Sequence, residues 1–263
     1  MKLGFIGAGN MAKAMMKGII SAGLVPASEI VASDPFQAAL DGAKKALGIS
    51  VTTDNKAAAS ADTIVLAVKP QFYPDVIREI APVVKDSTLI VTIAPGQTLE
   101  KVGSQFGRTV KIIRTIPNTP AMVGEGMTAV CANRQVTKQE LDYVCSLLGG
   151  FGKCAVVAEY MMDAVVSVSS SSPAYVFLFI EALADGAVMG GLPRPLAYRF
   201  AAQAVLGSAK MVLETGKHPG ELKDMVCSPA GTTIEAVRVL EEKGFRSSVI
   251  EAVDACTKKA RSL

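Results

Sequence analysis

Apolar residues from Met1 to about Val157 fall into short β-branched runs separated by stretches with helical spacing. The runs predict strands at Leu3–Ile6, Ile30–Ser33, Ile49–Thr52, Thr63–Val68, Leu89–Ile93, Lys111–Ile116, Thr128–Ala132 and Lys153–Val157. Several lack polar alternation, as strands buried on both faces do. Strand-helix alternation of this kind predicts a parallel sheet covered on both sides. After Glu159 the pattern changes and no further strand is expected. Pro173 opens a helix after a run of serines. Others are predicted over about Pro195–Thr215, stopped by Gly216, and over about Thr233–Lys243, stopped by Gly244. A last one carries Val249, Val253, Cys256 and Ala260 at helical spacing. The reading divides the chain at 1–158 and 159–263. The second part is thin and carries few charges on its middle helices, so it is expected to complete its core against another subunit.

The first strand runs into Gly7-Ala8-Gly9-Asn10-Met11-Ala12. This is the spacing of a dinucleotide-binding turn. Gly7 permits the sharp bend, Gly9 lets backbone approach the pyrophosphate, and Ala12 lets the helix lie close on the strand. The helix start then presents free N–H groups to an anion. A glycine-rich turn without a ligand has the same pattern, but here the turn sits between a predicted strand and helix.

Further candidates lie where the other strands end. Ser33 and Asp34 close the second strand, where the adenosine ribose is read; an acid there accepts from a 2′-hydroxyl, whereas a hydroxyl or amide suits a 2′-phosphate. Asp34 precedes Pro35, so its side chain has an alternative role in capping the turn. Asn55 follows the third strand. Ala67-Val68-Lys69-Pro70 ends the fourth, with Lys69 placed either for a phosphate or for solvent. Ala94 opens the small-residue loop after the fifth, room for a nicotinamide ring. Thr115–Pro120 follows the sixth and faces the same cleft.

A second helix start, Ser228-Pro229-Ala230-Gly231-Thr232-Thr233, groups hydroxyls and small residues. It suits a carboxylate or serves as an ordinary cap. With one histidine and no cluster of metal-ligand spacing, no strong general base and no metal site are expected. That deficit favours reduction of a C=N bond, whose protonated form needs no base, over oxidation of an alcohol.

Composition narrows the class. Half of the 263 residues are hydrophobic, and the net charge of +3, with no basic run, gives no reason to expect nucleic acid. The five scattered cysteines form no CxxC pair, as in a reduced cytosolic protein. The strand beginning at Leu3 leaves no room for a signal peptide, and no uninterrupted apolar run is expected to reach a membrane span. A cytoplasmic location without membrane attachment is therefore expected.

Taken together, the motifs resemble those of the pyrroline-5-carboxylate reductases. The likeness runs through nearly the whole chain: Gly4 to Ala12, Ala67 to Pro70, Asn118 to Pro120 with Gly124 to Gly126, Ser172 to Tyr175, Glu181 to Gly186, Gly191 to Pro193, and His218 to Asp224 leading to Ser228 and Gly231 to Thr233. The resemblance implies an α/β fold, a doubly wound Rossmann-type sheet followed by an all-α dimerisation domain. It implies a homodimer, often five dimers in a ring, and reduction of L-1-pyrroline-5-carboxylate to L-proline with NADPH or NADH. By matching position, Gly7 to Met11, Ser33, Asn55 and Ala67 to Pro70 would hold the cofactor. Ser228, Gly231, Thr232 and Thr233 would hold the substrate carboxylate, with Glu159 nearby and Thr233 as proton donor to the ring nitrogen. Relatives often carry glycine at position 230; Ala230 at positive φ would be strained. Against a β-hydroxyacid dehydrogenase, Lys210 is followed four residues on by Glu214, not the Asn or Asp that family carries. A nucleotide-sensing protein without turnover would be expected to lack the intact Ser228–Thr233 segment.

Overall fold

The computed structural model describes residues 2–262. Eight strands form one sheet: β1 (Leu3–Ile6), β2 (Ile30–Ser33), β3 (Ser50–Thr52), β4 (Thr63–Leu66), β5 (Leu89–Thr92), β6 (Lys111–Ile116), β7 (Gly126–Ala132) and β8 (Gly152–Val156). The helices are α1 (Asn10–Ser21), α2 (Gln37–Leu47), α3 (Asn55–Ala58), α4 (Tyr73–Ile80), α5 (Leu99–Phe106), α6 (Lys138–Gly149), α7 (Met162–Val165), α8 (Ser172–Met189), α9 (Arg194–Thr215), α10 (Pro219–Val226), α11 (Thr232–Glu242) and α12 (Phe245–Arg261). Every predicted strand is present to within two residues of its expected limits.

The strand order is β3-β2-β1-β4-β5-β6-β7-β8. The chain therefore reverses its direction of winding at β1 and β4, the place where a doubly wound sheet opens a crevice at its carboxyl edge. Leu3 to Ile6, Ile30 to Ser33 and Thr63 to Leu66 are buried throughout, which explains their unbroken apolar character. Three apolar clusters form the core among the described residues, one around Phe5, Met16, Ile19 and Val130, one around Ile6, Leu66, Tyr73 and Ile90, and a smaller one of Ile116, Ala129, Cys131, Met162, Val166 and Ala260. The parallel expectation fails at one place: β7 runs antiparallel to β6. The link from Pro117 to Glu125 is a short 3-10 turn ending in Gly124 at φ 81°, too short for a crossover helix.

By contact density the chain separates into two units. One runs to Ser171 and regains the chain from Cys256 onward; the other is Ser172–Ala255. In the second unit α8 packs on α9, and Phe179 lies 5.9 Å from Phe245, ring centre to ring centre. Its buried side chains are few and small, Ala184, Ala197 and Ala201 with Leu222. Large apolar side chains stand in the open, among them Met189 (90% exposed), Leu213 (83%), Phe177, Leu178 and Phe200. The expected helices are all there. The sequence reading missed α10, whose first N–H groups are capped by the imidazole Nδ1 of His218, accepting from Gly220 N–H at 3.1 Å. A second expectation needs correction. The continuous helical stretch Glu159–Met189 is long and apolar enough, by length and composition alone, to cross a membrane. The helical turns between Glu159 and Ser171, to which the sequence assigns no element, extend the apolar α8 backward.

Candidate active site

The glycine turn is built where three strand ends meet. Gly7 N–H donates to Ser33 O at 2.8 Å, and Ala67 N–H donates to Ile6 O at 2.8 Å. Gly7 takes φ +105°, and a Cβ there would lie 2.7 Å from Ala67 O. Glycine is thus required twice, by conformation and by space. Gly9 presents the opposite case. Its backbone is ordinary, φ −70° and ψ −176°, and, its own chain neighbours aside, no atom of the described residues lies within 4 Å of where a Cβ would sit. Nothing in the chain demands glycine at position 9; the open space above it is what a pyrophosphate needs, and the turn fits a dinucleotide on that ground. Gly9 is the N-cap of α1 and offers no side chain, so the first-turn N–H groups after Asn10 are left for an anion. Ala8 and Ala12 are buried, Met11 packs on the core, and Asn10 is exposed.

The adenosine end is organised by hydrogen bonds. Asp34 Oδ2 accepts from Ala8 N–H at 2.9 Å and its Oδ1 from Phe36 N–H at 3.0 Å. The carboxylate both caps the turn and reaches the glycine loop. Ser33, expected at the ligand, is fully buried, and its hydroxyl donates to Asn55 Oδ1 at 2.7 Å. Close pairing of β2 with its neighbours turns that side chain inward, so Ser33 orients Asn55. Asn55 Nδ2 in turn donates to Glu79 Oε2 at 2.8 Å.

Along the same edge, Ala67 and Val68 are half-buried. Lys69 is exposed in extended backbone before the 3-10 turn opened by Pro70, and it makes no ion pair with the described residues. Ala94 is buried where β5 ends. A surface pocket of about 290 Å³ lies beside Pro70, Pro74, Pro95, Gln97 and Lys101. Of the expected cofactor residues only Pro70 lines it, so this pocket is not the nucleotide crevice. Asn118 does not open toward a ligand: its Oδ1 accepts from Met127 N–H at 2.9 Å and its Nδ2 donates to Ser169 O at 3.2 Å.

Glu159, expected beside the substrate, has its Oε1 engaged twice, by Leu99 N–H at 2.8 Å and by Arg114 Nη1 at 3.2 Å. Arg114 is 3% exposed and also lies 3.8 Å from Asp163. The sequence reading missed Arg114; its signal was a cation inside the apolar strand Lys111–Ile116. It missed Glu79 as well, which carries no local signal.

In the second unit, α11 starts at Gly231, whose N-cap position has no side-chain hydrogen bond. Ser228 O accepts from Gly231 N–H at 3.1 Å, and a Cβ on Gly231 would sit 2.4 Å from Ser228 Oγ. Ala230 has φ 57° and is the one non-glycine residue at positive φ among the described residues, so the strain that the sequence attaches to that conformation is present. Thr232 is exposed and Thr233 half-buried, and the Thr233 hydroxyl makes no hydrogen bond to the described residues.

Comparison with known proteins agrees with this layout. Residues 159–263 match the family model for pyrroline-5-carboxylate reductase dimerisation, and residues 2–96 match that for NADP oxidoreductase, coenzyme F420-dependent. The pyrroline-5-carboxylate reductase of Escherichia coli K12 is 52% identical over 263 residues, covering all of this chain and 98% of that protein. That of Glycine max is 42% identical, covering 99% and 95%. Among solved structures, the Coxiella burnetii pyrroline-5-carboxylate reductase superposes with a TM-score of 0.93 at 34% identity, covering 99% and 97%. The Plasmodium falciparum enzyme with NADP bound gives 0.90 at 33% identity, covering 99% and 97%. With a dinucleotide turn, a helical dimerisation region and full-length identity of this order, the chain belongs to the pyrroline-5-carboxylate reductase family.

Proposed function

We propose that the chain reduces L-1-pyrroline-5-carboxylate to L-proline, the last step of proline synthesis, with NAD(P)H as reductant. The observation that carries the reading is Gly9: an open glycine that neither φ nor any protein neighbour requires, at the head of α1, in a chain matched end to end by these reductases. When bound, the reduced nicotinamide supplies a hydride to the imine carbon. The ring nitrogen ends the reaction carrying a proton, and no residue has to remove one.

The residues divide the remaining work. Gly7, Ala8, Gly9, Asn10 and Met11 hold the pyrophosphate through backbone N–H groups. Asp34 and Asn55 meet the adenosine ribose, with Ser33 holding Asn55. Ala67, Val68, Lys69 and Pro70 line the middle of the crevice, and Ala94 gives the nicotinamide room. Ser228, Gly231 and Thr232 hold the substrate carboxylate at the start of α11, where the uncapped N–H groups favour an anion. Thr233 protonates the ring nitrogen where the neutral imine binds. Glu159 serves the substrate side by fixing Leu99 and with it the end of the 94–98 loop.

The helical region is a dimerisation domain. Its exposed apolar side chains, those of the Glu159–Met189 stretch included, are the surface it buries against a second copy. On this reading that stretch is not a membrane anchor and the protein works in the cytoplasm. We assign 1–158 to cofactor binding and 159–263 to dimerisation and substrate binding. Five dimers closing a ring are the assembly we favour, and no nucleic acid takes part.

The decisive experiment mixes purified protein with pyrroline-5-carboxylate and follows loss of nicotinamide absorbance, with NADPH and NADH in separate runs. Proline must accumulate in step with the absorbance lost. Absence of turnover with both cofactors overturns the reading.

A further inference from the structure

We infer that Arg114 is a positioning residue: acting through the Glu159 carboxylate, it fixes the 94–98 loop at the place read above as the nicotinamide's. The inference rests on the reductase reading and gives a task within it to a residue outside its binding sets.

The placement of the charge comes first. Arg114 stands in β6 with Thr92 beside it on β5 and Cys131 beside it on β7. Ile116, two residues on, shares its face. Ile116 and Cys131 belong with Met162 and Val166 to an apolar cluster on which Leu99 packs. The guanidinium there is 3% exposed, whereas both side chains of every other ion pair among the described residues are partly or fully exposed. A buried ion pair is no gain in stability by itself; apolar side chains of similar volume do as well or better. Nor is the polar network complete. Arg114 Nε and the Thr92 hydroxyl, on neighbouring positions of β5 and β6, are both buried without a partner among the described residues. Charge at position 114 therefore serves something other than stability.

What it does is aim one atom. Arg114 Nη1 donates to Glu159 Oε1 at 3.2 Å, and that same oxygen accepts from Leu99 N–H at 2.8 Å. Arg114 Nη2 lies 3.8 Å from Asp163 Oδ1, so a second carboxylate braces the guanidinium. The Glu159 side chain is 35% exposed, and without the cation it is free to turn to water. With the cation, its oxygen stays on Leu99, the first residue of α5, directly after the loop. The loop has little hold of its own. Gly96 takes φ +72°, and Gln97 is buried with its Oε1 unpartnered among the described residues. Ala94 heads the loop, where the nicotinamide is read to lie. A loop pinned at Leu99 presents that wall in one place, and misplacing reacting groups by about 1 Å costs up to about a hundredfold in rate.

The test uses the full-length protein. Arg114→Met keeps a long side chain, suits the apolar neighbours and removes the charge. Amide exchange of segment 94–101 is read by mass spectrometry without any ligand, so turnover plays no part. Exchange there should speed up about tenfold in Arg114→Met, the loss expected of one hydrogen bond to a charged group, with β1 and β4 unchanged. The urea midpoint should stay at the wild-type value or rise, since the charge left behind on Glu159 reaches water. At the same time kcat should fall about ten- to a hundredfold. Calorimetric affinity for 5′-ADP, which takes the adenosine end of the crevice, should not change. Arg114→Lys keeps the charge but not the fork that spans Glu159 and Asp163, so it should fall between wild type and Arg114→Met in both exchange and rate. A folded Arg114→Met with wild-type exchange at 94–101, or with wild-type kcat, overturns the inference. Where Arg114→Met does not fold, Arg114→Lys decides, and wild-type exchange and rate in that variant overturn it equally. Exchange and 5′-ADP binding are read without the imine, so failure of the reductase reading shows separately, as absent turnover of the wild type with both cofactors.

Discussion

Glu159 and Arg114 form an ion pair at 3.2 Å across 45 residues of sequence, and the same Glu159 oxygen accepts from Leu99 N–H at 2.8 Å. One carboxylate therefore ties the start of the helical stretch to β6 and to the head of α5. Arg114 is 3% exposed, and without Glu159 the one carboxylate left to its charge among the described residues would be Asp163 at 3.8 Å. Breaking a fully buried pair costs about 3–5 kcal/mol; with Glu159 35% exposed, Glu159→Ala should cost about 2 kcal/mol. Urea denaturation measures this. A residue that touched only substrate would instead raise the KM for the imine and leave stability unchanged. We expect the denaturation midpoint to fall for Glu159→Ala and in part for Glu159→Gln.

The two glycines of the turn predict opposite failures. Gly7→Ala places a methyl 2.7 Å from Ala67 O at φ +105°, so it should destabilise the fold by at least about 1 kcal/mol and lower the thermal midpoint. Gly9→Val starts its side chain in open space, with nothing among the described residues near its Cβ except its own chain neighbours, and keeps an allowed backbone, so the midpoint should stay put. Its side chain fills the space reserved for the pyrophosphate, and NAD(P)H titration should show binding lost. A Gly9→Val protein that binds the cofactor normally removes the turn from the site.

The legibility of this chain follows from where its forces are local. The strands were readable because β1, β2 and β4 are buried on both faces and so are apolar without interruption. The glycine turn was readable because its conformational demands fall on adjacent residues. The antiparallel β7 was not, since direction depends on a link whose length only the fold reveals. Nor was the Ser33–Asn55–Glu79 relay, which joins three strand and helix ends through contacts 22 and 24 residues apart. Helix α10 was missed because its cap is a histidine, an uncommon choice that sequence rules overlook.

Cys131 on β7 gives a prediction in pH. Burial, and then the negative charge of Glu159, push its thiol from an ordinary value near 9 up to about 12. The unfolded chain loses this proton near 9 while the folded chain keeps it, so the stabilisation is complete below about pH 9. It fades as pH rises through the interval to about 12, by up to about 1.4 kcal/mol per pH unit. Urea midpoints for the wild type should therefore fall more steeply between about pH 8.5 and 10.5 than those of Cys131→Ala. Parallel curves for the two proteins would show that the thiol is not held protonated. In the folded protein Cys131 should also resist alkylation, which needs the thiolate.

Thr233 is the second residue of α11, and its hydroxyl makes no hydrogen bond to the described residues. If that hydroxyl delivers the proton to the ring nitrogen, Thr233→Ala should lower kcat about ten- to a hundredfold, the lower part of the usual range because water can substitute. NAD(P)H affinity should not change, and Thr233→Ser should restore most of the rate. Wild-type turnover in Thr233→Ala would take the residue out of the chemistry.

Two residues earlier than the start of that helix, Ala230 holds φ 57°, a conformation that costs an alanine roughly 1–2 kcal/mol. Glycine would adopt it without strain but would lose more entropy on folding, about 0.4–1 kcal/mol. The difference favours Ala230→Gly by several tenths to about 1 kcal/mol, a rise of a few degrees at most in the thermal midpoint of a chain this size. The substitution also tests the anion site by a different route. Strain at position 230 persists only where neighbours enforce it, and here Ser228 Oγ and the Gly231 backbone close the turn from either side. If the closed turn exists to aim the α11 N–H groups at a carboxylate, relaxing it should loosen the aim while the fold gains stability. The expected signature is a higher midpoint together with a raised KM for pyrroline-5-carboxylate and an unchanged KM for NAD(P)H. A higher midpoint with both constants untouched would make the strain a property of the turn alone.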